Sequence, residues 1–423
     1  MGKREIQGTD YSLADFYEYP DKDLFAKAKE LAIYLDDFTK RGHNSYRRTL
    51  LTPCDHRVII WDDITKQKKE MIMMGSNNYL GLVTHPKVKE AGIKAYEKWG
   101  MGAGGVPLLS GTLDLLKELE HKIAKMKGCE DAVVFSSGYS MNLGTISALV
   151  RRGDVAINDK LNHASIIDGS RFADGDMRVF KHNDIEHLEK ILQYSDNKYN
   201  GKLIIVDSVF SMDGDIAPLP DIKKLADKYG AKIMIDEAHS TGVLGEHGRG
   251  APEHFNMWGQ IDIVAGTLSK ALAGVGGFAA TTKEVADYIR LYARSYFFST
   301  ALPPATIASL IAAIDVIETE PELRERLWKN IKYMRENLQK MGYDTQNSET
   351  AIIPIIIGDD YKLREMNRII HEKGIFLNPV PYPAVPKKLS RLRISLMATH
   401  TQEDLDTTLE VLEKVGKQFG IIE

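Results

Sequence analysis

Between residues 132 and 281 short apolar runs alternate with helix-like segments, and no other feature constrains the fold as strongly. The apolar runs are AVVF (132–135), DVAIN (154–158), LIIVD (203–207), KIMID (232–236), DIVAG (262–266) and GGFAAT (276–281). Between most of them lie segments such as LLKELEHKIAKM (115–126) and LPDIKKLADKYG (219–230), which carry helical periodicity. Short runs that are apolar on both faces are the signature of strands covered from both sides. Strands interleaved with helices therefore predict a largely parallel sheet between two helical layers.

The flanks read differently. Residues 23–41 have helical periodicity, RVIIW and EMIMMGSNNYLGL read as β-rich pieces, and an amphipathic helix runs from Pro86 to about Trp99. After Pro303-Pro304 two long helices lead into TAIIPIIIG (350–358). A helix over 361–374, the strands IFLNPV (375–380) and RLRISLM (391–397), and an amphipathic helix over 402–418 complete the chain. With 423 residues, more than one core is expected. The predicted division is an N-terminal arm over 1–70, a large domain over 71–310 and a small α+β domain over 311–423.

Composition excludes several function classes. A net charge of −4 gives no electrostatic footprint for nucleic acid. The two cysteines, Cys54 and Cys129, are far apart, which argues against a disulfide scaffold and a structural zinc site and fits a reducing compartment. No apolar stretch approaches the roughly 20 residues that span a bilayer, and the N-terminus lacks the core of a signal peptide. A cytoplasmic protein without an integral membrane segment is expected.

Some motifs mislead. GMGAGG (100–105) matches G-x-G-x-x-G but follows a predicted helix, whereas a dinucleotide fingerprint follows a strand and opens a helix. GVGGFA (274–279) leads into a strand. Asp236-Glu237-Ala238-His239 spells a helicase box, but the upstream phosphate loop that such a box requires is missing. GTLSKALAGVGG (266–277) places Lys270 before its glycines, the reverse of a nucleotide-binding loop.

The strand ends are more informative, because ligands of open α/β sheets bind beyond the carboxyl ends of the strands. Asp236 ends KIMID, Asp207 and Ser208 end LIIV, Ser136-Ser137-Gly138 ends AVVF, and Thr267 to Lys270 ends DIVAG. A buried carboxylate needs a cation or proton donor facing it, and a desolvated lysine loses its proton more readily. SSGYSMN (136–142) supplies a turn opening a helix, where backbone N–H groups bind anions. A lysine nucleophile, a buried aspartate and a phosphate cradle are what pyridoxal phosphate (PLP) requires. Taken singly, such an aspartate is more often a cap and such a lysine more often solvated. Four such features on successive strand ends make that reading much poorer. His163 alone reads as a loop histidine, Asn77-Asn78 as a turn, and Arg391–Arg393 as an edge-strand charge pair.

Five segments together resemble one family. SNNYLGL (76–82), NHASIIDG (162–169), SVFSMDGDIAPL (208–219), DEAHSTGVLGEHGRG (236–250) and GTLSKALAGVGGF (266–278) look like the α-oxoamine synthases, in order, from about residue 30 to the C-terminus. These are PLP enzymes of fold type I, the aspartate aminotransferase-like α/β fold. The resemblance implies a large domain with a mostly parallel seven-stranded sheet and a small α+β C-terminal domain.

It also implies roles. Lys270 is the Schiff-base lysine and the general base, Asp236 pairs with the pyridine nitrogen, His239 bonds the phenolic oxygen, and His163 stacks on the ring. Gly138 and Tyr139 bind phosphate through backbone N–H groups, with Ser137, Ser211, Thr267 and Ser269 nearby. Thr300 reaches the phosphate of a neighbouring subunit, since active sites in the family lie at a homodimer interface. Arg393 clamps the substrate carboxylate, helped by Asn77 or Asn78. The implied reaction is a decarboxylating condensation of a small amino acid with an acyl thioester, carried by coenzyme A or acyl carrier protein.

Within the family, LTPCDHRVIIW, GTLDLLKELE and NPVPYPAVPKKLSRLRISLMATHT look closest to bacterial serine palmitoyltransferases. Serine and a fatty acyl thioester are therefore the expected substrates, and a lipid product would favour peripheral contact with the inner membrane. The chain has Leu116 and Pro107 where family members often carry histidine and arginine. 8-Amino-7-oxononanoate synthase, 2-amino-3-ketobutyrate CoA ligase and a cysteate-using sulfonolipid synthase are the alternatives within the family. A non-catalytic partner subunit would keep the fold but lose the lysine, and Lys270 with Asp236 argues against it.

Overall fold

The computed structural model describes residues 11–423, and the structural statements below concern those residues. Two compact units emerge. One is Asn78–Leu327; the other is the chain up to Asn77 together with Trp328–Glu423. The sequence reading places its cuts at 70/71 and 310/311. The helix Pro304–Thr319 packs on the helices Pro86–Trp99 and Asp114–Lys127, which keeps it with the larger unit.

The larger unit is built on seven strands: β1 (Asp131–Phe135), β2 (Val155–Asp159), β3 (Asp176–Phe180), β4 (Lys202–Asp207), β5 (Lys232–Asp236), β6 (Ile263–Thr267) and β7 (Gly277–Thr281). Their order across the sheet is β1-β7-β6-β5-β4-β2-β3. Only β7 runs against its two neighbours, β1 and β6; the remaining pairs are parallel. The carboxyl ends of the other six strands and the amino end of β7 therefore share one rim. Six strands are legible as apolar runs. The seventh, DMRVF of β3, is an edge strand on which only Phe180 is buried, so it carries too little apolar signal to stand out.

The helix Gly138–Leu149 covers one face, burying Met141 and Ile146 against Val133, Phe135, Ile205 and Met234. It is apolar nearly all round because it lies deep in the unit. The helix Leu219–Tyr229 buries Leu219, Ile222, Leu225 and Ala226, one face at helical spacing, and stops at Gly230 in the left-handed region (φ 60°), where a glycine costs least.

In the smaller unit, Thr49–Leu50, Arg57–Asp62 and Gln67–Met73 form an antiparallel sheet that Ile375–Phe376 extends in parallel. A second sheet holds Ile352–Ile356, Arg391–Ser395 and Asn378–Val380, all antiparallel. Arg391–Ser395 is its central strand and every residue in it is buried, so the two arginines are not an edge-strand charge pair. The last helix, Gln402–Gln418, starts in a capping box between Thr401 and Asp404. Among the described residues, no helix is long and apolar enough to cross a membrane.

Candidate active site

The rim of the larger unit gathers most of the expected site residues. Asp236 ends β5 and is buried, with 5% of its surface exposed. Its Oδ2 accepts from Asn142 Nδ2 at 2.7 Å and its Oδ1 from the Ala238 N–H at 2.9 Å. Asn142 also donates to Ser165 Oγ at 2.9 Å, so the carboxylate is held from a helix on one side and a turn on the other.

Asp207 ends β4 in direct register with Asp236. It accepts the His163 N–H at 2.8 Å, and its own N–H is bound by Asn162 Oδ1 at 3.0 Å. Burial and the neighbouring Asp236 charge hold the Asp207 carboxyl well above the ordinary carboxylate range. His163 caps the helix Ala164–Phe172, its Nδ1 lying 2.7 Å from Ser165 Oγ, and its side chain is exposed at the rim.

Lys270 stands in the tight connection between β6 and β7. Leu268 N–H bonds Gly276 O and Gly274 N–H bonds Leu268 O, which closes the loop on itself. Lys270 Nζ lies 2.7 Å from His239 Nε2, and His239 Nδ1 lies 2.6 Å from the Tyr79 hydroxyl. Thr267 Oγ1 meets Ser269 Oγ at 2.7 Å and donates to Gly276 O.

The expected anion cradle falls at the start of the helix Gly138–Leu149. Ser137 caps it, its Oγ accepting the Ser140 N–H at 3.0 Å. The N–H groups of Gly138 and Tyr139, at the first two helical positions, have no carbonyl partner within the helix. Glycines permit the close fit. A Cβ at Gly277 would lie 2.6 Å from Ser137 O, and one at Gly138 would lie 3.0 Å from Thr267 Cβ. The Tyr139 hydroxyl donates to Asp168. Ser211 sits in a turn closed by hydrogen bonds from Gly214 N–H to Phe210 O and from Phe210 N–H to Asp215 O.

Thr300 is exposed after the helix Arg294–Phe297, and no hydrogen bond joins it to these groups among the described residues. Arg393 and Asn77 belong to the smaller unit. Arg393 Nη1 donates to Asn77 Oδ1 at 3.2 Å and to Ser395 Oγ at 2.7 Å. Asn78 is buried in the larger unit, where its Oδ1 accepts the Val83 N–H at 3.4 Å. The two asparagines thus have different surroundings: Asn77 accepts from Arg393, and Asn78 accepts the Val83 N–H.

Comparison with known proteins places the chain. The family model "Aminotransferase class I and II" matches residues 69–412. The 8-amino-7-oxononanoate synthase of Thermoanaerobacter pseudethanolicus is 48% identical over 388 residues, 92% of this chain and 97% of that protein. The chain belongs to this family, on its α-oxoamine synthase branch. Another α-oxoamine synthase, the serine palmitoyltransferase of Bacteriovorax stolpii, is 45% identical over 358 residues, 85% of each chain. A solved variant of the serine palmitoyltransferase of S. paucimobilis with a PLP–myriocin aldimine bound superposes with a TM-score of 0.88 at 33% identity, covering 95% of this chain and 100% of that one. The fold is the fold-type-I architecture, the cofactor of this α-oxoamine synthase is PLP, and the enzyme is a PLP-dependent C-acyltransferase.

The rim fits that cofactor. A buried carboxylate (Asp236), an amine (Lys270) and helix-end amides (Gly138, Tyr139) offer the group types that its ring nitrogen, aldehyde and phosphate require. Three residues near these groups had no role assigned from sequence. Asn142 follows Gly138 by four residues, a spacing that puts both on one helix face and was available as a signal. Tyr79 and Ser165 lie inside quoted motifs, but only the fold shows what they touch.

Proposed function

We propose that this α-oxoamine synthase condenses alanine with a dicarboxylic acyl thioester of the pimeloyl type, the 8-amino-7-oxononanoate synthase reaction. The supporting observation is the 48% identity to the Thermoanaerobacter enzyme, which the chain matches over 97% of that protein's length. A second reading, serine with a fatty acyl thioester, is supported by the likeness to the solved serine palmitoyltransferase. Both share a decarboxylating Claisen-type condensation that releases CO2 and a free thiol.

When bound, PLP supplies an electron sink for the pair left on the amino acid's Cα. The chain's residues do the rest. Lys270 would hold the cofactor through Nζ and would be the base that moves the Cα proton. Asp236 keeps a proton on the ring nitrogen, with Asn142 holding its carboxylate in place. His239 donates to the phenolic oxygen, and the exposed His163 ring stacks on the cofactor. The amides of Gly138 and Tyr139, with Ser137, Ser211, Thr267 and Ser269, bind the phosphate. Arg393, oriented by Asn77 and Ser395, takes the substrate carboxylate as a bidentate fork. The active form in this reading is a homodimer to which Thr300 of each subunit contributes at its neighbour's phosphate.

The test offers alanine, serine, glycine, threonine and cysteate in heavy water, following loss of the Cα proton signal by NMR. Thiol release is then measured with pimeloyl-CoA and palmitoyl-CoA. Exchange and thiol release with alanine and pimeloyl-CoA are expected. Turnover confined to serine and palmitoyl-CoA would replace the first reading by the second.

A further inference from the structure

Tyr79 lies in the SNNYLGL segment and is fully buried, with 0% of its surface exposed. Its hydroxyl is 2.6 Å from His239 Nδ1, and Nε2 of the same ring is 2.7 Å from Lys270 Nζ. His239 is itself only 6% exposed. Three residues from three distant stretches of sequence thus form one hydrogen-bonded line inside the larger unit. A packing role alone would ask for an apolar ring of this size; a phenol whose oxygen meets an imidazole nitrogen does more.

The chemistry of the line follows from its donors and acceptors. A neutral imidazole has one N–H and one lone-pair nitrogen, and the partner of one nitrogen decides the state of the other. A phenol is a good proton donor, so the Tyr79 hydroxyl donating to Nδ1 leaves the proton on Nε2, the atom that faces Lys270. An ammonium has no lone pair with which to receive that proton, whereas a neutral amine does. We propose that Tyr79 is a positioning residue that sets the Nε2–H form of His239 and so favours the neutral, nucleophilic Lys270 amine. This rests on the reading of Lys270 as the cofactor's anchor. The same Nε2–H is the donor that the role given to His239 at the phenolic oxygen requires.

The test uses the full-length enzyme stripped of PLP and follows the growth of visible absorbance on adding PLP, from about pH 6 to pH 9. Wild type, Tyr79→Phe, His239→Asn and the double variant are compared. Tyr79→Phe should slow capture near neutral pH by up to about tenfold, the scale of one hydrogen bond, and leave the high-pH plateau unchanged. In the His239→Asn background, adding Tyr79→Phe should change nothing. A wild-type profile for Tyr79→Phe overturns the proposal, as does equal slowing at every pH with and without His239, because that pattern reports packing alone. Should Tyr79→Phe fail to fold, nitrogen-15 NMR of His239 in the wild-type protein decides instead: Nε2–H is expected, and Nδ1–H refutes it. Lys270→Ala keeps the two failures apart. If that variant develops the wild-type colour, the anchor assignment falls, whatever Tyr79 does.

Discussion

Asp207 and Asp236 end neighbouring parallel strands in direct register, so two carboxyl groups stand side by side at one rim. Their surroundings differ. Asp236 is held by Asn142 and the Ala238 N–H, whereas Asp207 receives the His163 N–H and is pushed well above the ordinary carboxylate range by burial and by Asp236. A group whose pKa is raised on folding stabilises the fold at low pH and loses that contribution as pH rises through its folded value. Asp207→Asn keeps an acceptor for His163 without a charge to bury. Its melting temperature should equal or exceed that of wild type at pH 8, and the gain should shrink as pH falls toward the ordinary value of 3.8. Thermal melts across pH check this.

Asn142→Leu removes the donor that holds the Asp236 carboxylate. Hydrogen bonds to charged groups contribute about 1.5–3 kcal/mol, so kcat should fall by about 10- to 100-fold while PLP stays bound. Steady-state kinetics, with the visible spectrum as the check on bound PLP, separates this from loss of cofactor.

Arg393→Lys keeps the charge but loses the planar fork. The KM for the amino acid should rise by about 10- to 100-fold with the cofactor spectrum unchanged. An unchanged KM would remove Arg393 from the substrate-carboxylate role.

His182 sits between two carboxylates, Nδ1 at 3.0 Å from Asp159 Oδ1 and Nε2 at 2.8 Å from Asp215 Oδ2. Burial alone would lower its pKa, but the hydrogen bonds and charges of both partners outweigh it and raise the value to about 10. The stabilisation is complete below the unfolded value near 6.5 and is lost as pH rises through 10. His182→Gln should cost about 1–3 kcal/mol at pH 7, with the difference from wild type narrowing above pH 10. Urea titrations at pH 7 and pH 10.5 measure it.

His400 behaves in the opposite sense. It is buried between the Met397 N–H, which donates to Nδ1, and Met73 O, each at 3.0 Å, and burial lowers its pKa to about 4. Its contribution is full above 6.5 and is lost as pH falls toward 4. Wild type should lose stability over that window, and His400→Asn should lose less. Melting curves at pH 7 and pH 4.5 give the comparison.

The sheet was readable because strands covered on both faces leave uninterrupted apolar runs, and the rim because Asp207, Asp236 and Lys270 directly end or follow such runs. What could not be read depends on contacts between distant stretches. Strand β3 is an edge with one buried side chain. RLRIS looks like an exposed charged strand until its neighbours on both sides are known. Asn77 and Asn78 are one residue apart with the same chemistry, and only the fold turns one toward Arg393 and the other toward Val83. Tyr79 carries no local clue at all, since a buried tyrosine in a motif looks like packing until His239 is seen beside it.

In the proposed reading, the helix Gly138–Leu149 meets the cofactor site twice, at the Gly138 amide and at Asn142, which donates to Asp236. Four helical residues advance about 6 Å along the axis, a length set by backbone geometry and not by side-chain packing. On that reading the helix would work as a gauge between the proposed phosphate seat at Gly138 and Asn142, which holds the Asp236 carboxylate. Inserting one residue between Ser140 and Asn142 would rotate the latter by about 100° and leave Asp236 without its brace. Tolerance of substitution in this stretch should accordingly be far greater than tolerance of any change in its length.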